Sequence, residues 1–260
     1  MEFSVNWLKK YVDTSLSVEK LAEVFTDQGL TVDEIKVVDG DVVLDIDVTT
    51  NRPDAMNYLG LARELAASGN GSLTLPETGV SGEAGWPCDA SIAVEIKDPD
   101  LCGRYVARVV RNVKVGPSPK WMQDILNAVG IRPISNIVDI TNYVLWETGH
   151  PLHAFDSRFL KGGRIIVRRA EAGETIVTLD GEERKLTTDD LLIADAERGI
   201  ALAGVMGGEN SEIREDTTDV IIESAWFDPV AVRRTSKKFA LHTDASHRFE
   251  RGADIEMAAQ

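Results

Sequence analysis

The sequence predicts an α+β protein in two parts, a small N-terminal helix/strand domain followed by a larger mixed α+β domain. Two observations carry that expectation. Helical and strand periodicities come in groups, without the regular strand–helix alternation of a parallel α/β sheet. Between the groups, residues 70–90 are rich in Gly, Ser, Pro, Thr and acids and carry little apolar periodicity, which marks a linker. With 260 residues, 43% of them apolar and 27% charged, the chain is long enough for one large or two modest cores.

Asn6 to Val12 reads as a short amphipathic helix with Trp7, Leu8 and Tyr11 inward. Ser17 caps a second helix whose apolar stripe is Val18, Leu21, Ala22 and Phe25, and Gly29 ends it. Two strands follow, Leu30 to Val38 and Val42 to Val48; in the second, Leu44, Ile46 and Val48 alternate with Asp45 and Asp47. A turn-rich joint at 49–54 leads into a helix from about Asn57 to Ser68, closed by Gly69. These elements make a first domain over 1–76, with a linker over 77–90.

The second domain is expected over 91–252. It opens with strands Ile92–Ile96 and Tyr105–Val113, then a helix started by Ser118-Pro119 with Trp121, Ile125, Leu126 and Val129 on its buried face. A further helix contains Ile140, Tyr143 and Val144; Gly149 stops it, and His150-Pro151 forces an extended exit. Arg164–Arg168 reads as a strand, and Thr175–Leu179 with Arg184–Leu186 as a hairpin around Asp180-Gly181. Leu191–Ala194, Ile200–Val205 and Val220–Ser224 are further strands, and Asp228-Pro229 starts a helix with Val230, Val232 and Phe239 on its apolar side. Residues 253–260 begin a connection to whatever follows.

The formal charge of -15, from 28 basic and 43 acidic residues, argues against broad sequence-independent nucleic-acid binding. Residues 230–252 are a local exception, holding Arg233, Arg234, Lys237, Lys238, Arg248 and Arg251 against Asp244 and Glu250. That patch is a solvated helix face or an interaction surface; charge alone leaves both open. No run is long and apolar enough to span a bilayer, and Met1-Glu2-Phe3-Ser4 lacks the parts of a signal peptide. Cys88 and Cys102 lack metal-ligand spacing and are expected as reduced thiols of a cytoplasmic protein.

The densest chemistry lies between Ile140 and Asp156, where hydroxyl, amide, phenol, carboxylate and two imidazoles interleave with apolar residues. His150 and His153 are three apart, but Pro151 breaks the helix that would align them and no third ligand stands at a recognisable spacing, so no metal is expected. The run Gly204-Val205-Met206-Gly207-Gly208 lacks the lysine and hydroxyl of a phosphate loop and reads as a tight turn after a buried strand. Glu223 shares a strand face with Ile221. If that face is buried the carboxylate needs a partner, because an unpaired buried charge is very costly.

Four runs together resemble the bacterial phenylalanine–tRNA ligase beta subunit family: Asn51-Arg52-Pro53-Asp54 with Leu59-Gly60-Leu61-Ala62-Arg63-Glu64; Asp139-Ile140-Thr141-Asn142-Tyr143 with Pro151-Leu152-His153-Ala154-Phe155-Asp156; Leu202 through Ser211; and Arg248-Phe249-Glu250-Arg251-Gly252. Their order and combined length span essentially the whole chain. The resemblance implies a subunit of an α2β2 enzyme that charges tRNA(Phe) with phenylalanine using ATP and Mg2+, the alpha subunit carrying the synthetic site. It also implies that 91–252 is a tRNA-editing, B3/B4-like domain that hydrolyses misacylated tyrosyl-tRNA(Phe). By motif position, the catalytic residues fall on His153, Thr141 and Asn142. Residues binding the tyrosine or terminal adenosine fall on Glu223, Gly204 and Ala203. Tyr143, Trp146, Glu147, His150 and Asp156 stay structural.

Two departures qualify the resemblance. The family inserts an oligonucleotide-binding barrel in the region matching Val38 to Val42, where only Asp39-Gly40-Asp41 bridges the strands. The sequence also stops soon after Arg251-Gly252, and Gln260 reads as the edge of an expressed piece rather than a truncated product. The alternative of another class is a non-catalytic module of the same fold that binds RNA or a partner subunit.

Overall fold

A computed structural model describes residues 1–79 and 87–260. The chain divides into two compact units, Met1–Gly79 with Pro117–Gly149, and Val80–Gly116 with His150–Gln260. The helix pair Lys120–Ala128 and Asn136–Thr148, expected within the domain spanning 91–252, therefore belongs to the first unit. The reason is apolar: Met122, Leu126, Val129 and Trp146 join Phe3, Trp7, Leu8, Leu44 and Leu65 in one buried cluster. Of the expected linker, 80–86 lie outside the described residues, and Cys88–Ala90 form a single 3-10 turn. Residues near the C-terminus are packed within the second unit, where Arg104 donates to the Ile255 carbonyl at 3.1 Å.

In the first unit a three-stranded antiparallel sheet places Asp41–Asp47 between Glu2–Ser4 and Thr31–Val38. Val38 pairs with Asp41 across the two-residue loop Asp39-Gly40, whose φ values of 50° and 85° are those of a hairpin turn matched to strand twist. Ser17 caps Val18–Asp27, as expected; Asn57 caps Tyr58–Ala67 and Ser135 caps Asn136–Thr148. Trp7 anchors the core, stacked between Tyr58 at 4.1 Å and Tyr143 at 4.7 Å between ring centroids. The Tyr11 hydroxyl closes this cluster, accepting from Trp7 Nε1 at 3.2 Å and bonding Tyr143 and Glu147. Tyr143, Trp146 and Glu147 are thus parts of a core. Trp121, expected inward, is 50% exposed; Met122, one position on, takes the buried place.

The second unit contains two sheets and a small hairpin. Five strands run in the order Met206–Gly207, Gly199–Leu202, Leu191–Ala194, Arg164–Arg169 and Ala93–Ile96, the last pair parallel. Leu191–Ala194 and Gly199–Leu202 are buried at every position, as their unbroken apolar runs require. A three-stranded antiparallel sheet has Val220–Phe227 at its centre, with Cys102–Val110 on one side and Leu152–Asp156 on the other. The buried cluster of this unit includes Phe155, Ile165, Leu192, Ile200, Ile221, Phe227 and Phe249. The helix Pro229–Phe239 is capped by Asp228 and buries Ala231, Val232, Thr235 and Ser236, whereas Val230, expected on its apolar side, is 54% exposed. Helices lie apart from the strand runs, and the α+β class holds. Among the described residues no helix is long and apolar enough to cross a membrane, and both cysteines are free thiols.

The helix Tyr58–Ala67 carries Gly60 in its first turn, where a Cβ would lie 1.8 Å from the Asp54 carbonyl oxygen. Elsewhere in a helix, glycine to alanine stabilises by up to about 1 kcal/mol. Here the sign reverses: Gly60→Ala is expected to destabilise by about 1–3 kcal/mol through overpacking, read as a lowered midpoint in urea.

Candidate functional site

The second unit's three-stranded sheet positions the central groups. Along Val220–Phe227 the buried and half-buried positions alternate, so Ile221, Glu223, Ala225 and Phe227 form the inward face. Glu223 is 5% exposed, a carboxyl group set into an apolar face. His153 is its direct partner on Leu152–Asp156, which puts the two side chains on the same face of adjacent strands. On the other flank Tyr105, in register with Ala225, donates its hydroxyl to Glu223 Oε2 at 2.7 Å. Among the described residues this is the only hydrogen bond to that carboxyl, and Oε1 has no protein donor.

Burial acts on both titratable groups and in opposite senses on their charge. It pushes the Glu223 carboxyl up to about 7, against the pull of the Tyr105 hydrogen bond. It lowers the His153 imidazole to about 4. The ordinary ranking of proton affinity is therefore inverted, and at neutral pH the imidazole is uncharged while the carboxyl is poised between its two forms. His153 then offers one ring N–H donor and one acceptor, and its ring packs edge-on against Phe155 with centroids 4.6 Å apart.

A glycine backbone brings the end strand of the five-stranded sheet against this imidazole. A Cβ on Gly207 would lie 2.6 Å from His153 Cε1 and 3.1 Å from Leu179 Cδ1, so only glycine lets the backbone pass between those side chains. Gly204 sits at φ +69° in the turn closed by the Val205 N–H bonding to Leu202 O at 3.0 Å, which is the tight turn the sequence suggests. The position a side chain would take there is bordered by Val232, Phe227 and Phe249. Ala203 is buried beside it, its N–H donating to Leu191 O at 3.1 Å.

His153, Ala203, Gly204 and Glu223 thus all belong to the second unit. Thr141 and Asn142 belong to the first, on the helix Asn136–Thr148. The Thr141 hydroxyl donates to the Val138 carbonyl at 2.7 Å within that helix. Asn142 is half-buried. Of the residues read as structural that fall in the second unit, Asp156 is fully buried, and although burial opposes its charge, hydrogen bonds from Arg158 and Thr217 hold its carboxyl below the usual carboxylate range. His150 is buried edge-on to Phe249. Among the described residues no group of three or more His, Cys, Asp or Glu side chains is arranged to hold a metal ion.

Two residues of the site escape sequence reasoning. Tyr105 begins a predicted strand, and nothing local ties it to a carboxyl 118 positions away. Gly207 lies in the run read as a turn; its strand pairs locally with Gly199–Leu202, but the imidazole it meets is 54 positions back in the chain. The doubled Gly207-Gly208 is the one local signal of close backbone approach.

The raised Glu223 titration has a stability consequence. The folded protein keeps a proton there that the unfolded chain has released, so this group's contribution is most favourable below about pH 4.5, falls as pH rises and levels off above about 7, a span of about 3 kcal/mol. Glu223→Gln removes that dependence. Urea denaturation at pH 5 and pH 8 is expected to show the Gln protein gaining up to about 3 kcal/mol on the parent between the two; an equal difference at both contradicts the assignment.

A B3/4 domain family model matches residues 101–260 of the chain. The phenylalanine–tRNA ligase beta subunit of Anaeromyxobacter dehalogenans is 56% identical over 217 residues, covering 84% of this chain and 27% of its own length. That of Rhodopirellula baltica is 44% identical over 254 residues, 98% of this chain and 37% of its own length. The chain thus spans 27% to 37% of the length of these curated relatives. Among solved structures, an N-terminal fragment of the phenylalanyl-tRNA synthetase beta-subunit from Pyrococcus horikoshii aligns with TM-score 0.48 at 18% identity, covering 92% of this chain and 73% of that one.

Proposed function

The chain belongs to the B3/4 domain family, and we propose that it is part of a phenylalanine–tRNA ligase beta subunit whose B3/4 domain hydrolyses tyrosine misattached to tRNA(Phe). In this reading the complete enzyme works in the cytoplasm with an alpha subunit as an α2β2 assembly, binds tRNA(Phe), and uses ATP and Mg2+ to charge it with phenylalanine. The identities of 44–56% to proteins carrying that name support the assignment.

The observation that carries the editing reading is the buried Glu223 carboxyl with one oxygen lacking a donor among the described residues, directly across a strand pair from an uncharged imidazole. A synthetic site built for phenylalanine excludes tyrosine by one added hydroxyl, and an apolar pocket rejects an added hydroxyl only weakly. A second site that hydrogen-bonds the hydroxyl makes the opposite choice. Ionised Glu223 accepts from the tyrosine phenol on Oε1, whereas a phenylalanine ring in the same place leaves that oxygen without a donor. In the hydrolysis, water adds to the ester carbonyl, the bond to the ribose oxygen breaks, and tyrosine and the free tRNA hydroxyl leave. Neutral His153 serves to orient that water or the terminal adenosine, and the backbone at Ala203 and Gly204 to line the amino-acid side. Thr141 and Asn142 enter the catalytic set by motif position alone.

The test is to incubate the protein with tyrosyl-tRNA(Phe) and phenylalanyl-tRNA(Phe) and follow ester hydrolysis. The expected result is selective loss of tyrosine, with Glu223→Ala reducing kcat/KM for the tyrosyl ester by about 10²-fold or more. Unchanged hydrolysis by that variant sinks the role given to Glu223. Binding of tRNA without hydrolysis points instead to a non-catalytic RNA-binding module, with the exposed Arg233, Arg234 and Lys237 as its contact face.

A further inference from the structure

We propose that Tyr105 is a positioning residue for Glu223: by donating to Oε2 it fixes the carboxyl plane and leaves Oε1 as the acceptor offered to a phenolic ligand. The inference deepens the editing reading and rests on it for the identity of the ligand.

A carboxylate has two oxygens with about four acceptor directions between them, and a side chain with three rotatable bonds can present either. In an apolar setting, the oxygen a ligand meets is defined only if the other is held. Tyr105 holds it. The ring is buried, at 9% exposure, and reaches Glu223 from the strand Cys102–Val110, at 2.7 Å between oxygens. Its hydroxyl is a constant donor, because burial and the neighbouring carboxyl raise the phenol well above its ordinary range. Glu223 would thus serve two phenols at once, the resident one on Oε2 and the ligand's on Oε1.

The other groups facing Glu223 do not compete for this role. Cys102, from the same strand as Tyr105, is pushed up to about 12 by burial and directs its thiol to the Arg104 carbonyl at 3.4 Å. His153, from the strand on the other flank, has lost its charge well below neutrality. Within this set, Glu223 is the group that changes charge near pH 7, and Tyr105 is its one protein donor among the described residues. Without that donor the ionised form loses a stabilising hydrogen bond, so the carboxyl would keep its proton to higher pH and be a poorer acceptor at neutrality. Selectivity for tyrosine over phenylalanine would then fall even though Tyr105 need not touch the ligand.

Tyr105→Phe tests this with little change in volume, and its urea midpoint checks that the fold is kept. Two measurements on the same protein separate the possible failures. The first is the Glu223 side-chain carboxyl titration by 13C NMR, parent against variant. The second is binding of adenosine carrying tyrosine or phenylalanine through a non-hydrolysable 3′-amide. The expected outcome is an upward-shifted titration together with about a tenfold loss of affinity for the tyrosyl compound, the phenylalanyl affinity staying within twofold. If the parent prefers the tyrosyl compound and the variant keeps the full preference, the proposal is overturned whatever the titration does. If the parent shows no preference, the editing reading fails separately, and the titration decides for Tyr105: an upward shift sustains the positioning of Glu223 and an unmoved one overturns it.

Discussion

A single carboxyl group, carried on the central strand of a three-stranded sheet into an apolar face, is the constraint around which the second unit's chemistry is arranged. A strand has only two faces, and with Ile221, Ala225 and Phe227 turned inward the backbone gives Glu223 no other direction. An isolated charge there would cost several kcal/mol. The protein meets that cost partly with the Tyr105 hydrogen bond and partly by letting the carboxyl hold its proton up to about pH 7. Both neighbouring strands are thereby committed: one supplies the phenol, the other places an imidazole opposite.

The paired effects of burial on Glu223 and His153 matter more together than singly. In water an imidazole takes a proton long before a carboxylate does; here the carboxyl titrates near 7 and the imidazole near 4. Across the interval between those values the favoured state has both groups uncharged, which is the cheapest state for an apolar surface to hold. The site pays no double ionisation penalty, and a hydrogen-bonding ligand meets groups whose donors and acceptors are not already locked in an ion pair.

Much of this architecture was legible locally, and the exceptions share a physical cause. Ser17 and Asn57 announce helix starts because capping is settled within three residues. The Asp39-Gly40 hairpin follows from the same kind of short-range rule. The shared face of Ile221 and Glu223 follows from strand geometry, though which way it points required the fold. What local pattern misplaced were Trp121 and Val230, apolar residues in the first turns of their helices, where neighbouring positions took the buried places. What it could not supply were pairings across long separations: Glu223 with Tyr105, His153 against the Gly207 backbone, and Trp146 with Phe3. Composition marked a linker near 77–90 but gave no hint that the helices between Pro117 and Gly149 share a core with the first residues of the chain.

That shared core sets an order of events during synthesis. The first unit draws on Met1–Gly79 and then on Pro117–Gly149, so its aromatic cluster lacks Trp146 and Tyr143 until the chain has been made through a segment of the second unit. At a translation rate of about 5–20 residues per second, the N-terminal sheet and Trp7 wait about 7–28 seconds for partners more than a hundred positions downstream. Loop closure over that distance has to precede the packing that rewards it, which makes this a high-contact-order step. During that interval the apolar surface of Phe3, Trp7 and Leu8 is only partly covered. A nascent chain paused between Gly79 and Pro117 would present to the ribosome's surroundings a half-built core, the form most in need of a chaperone.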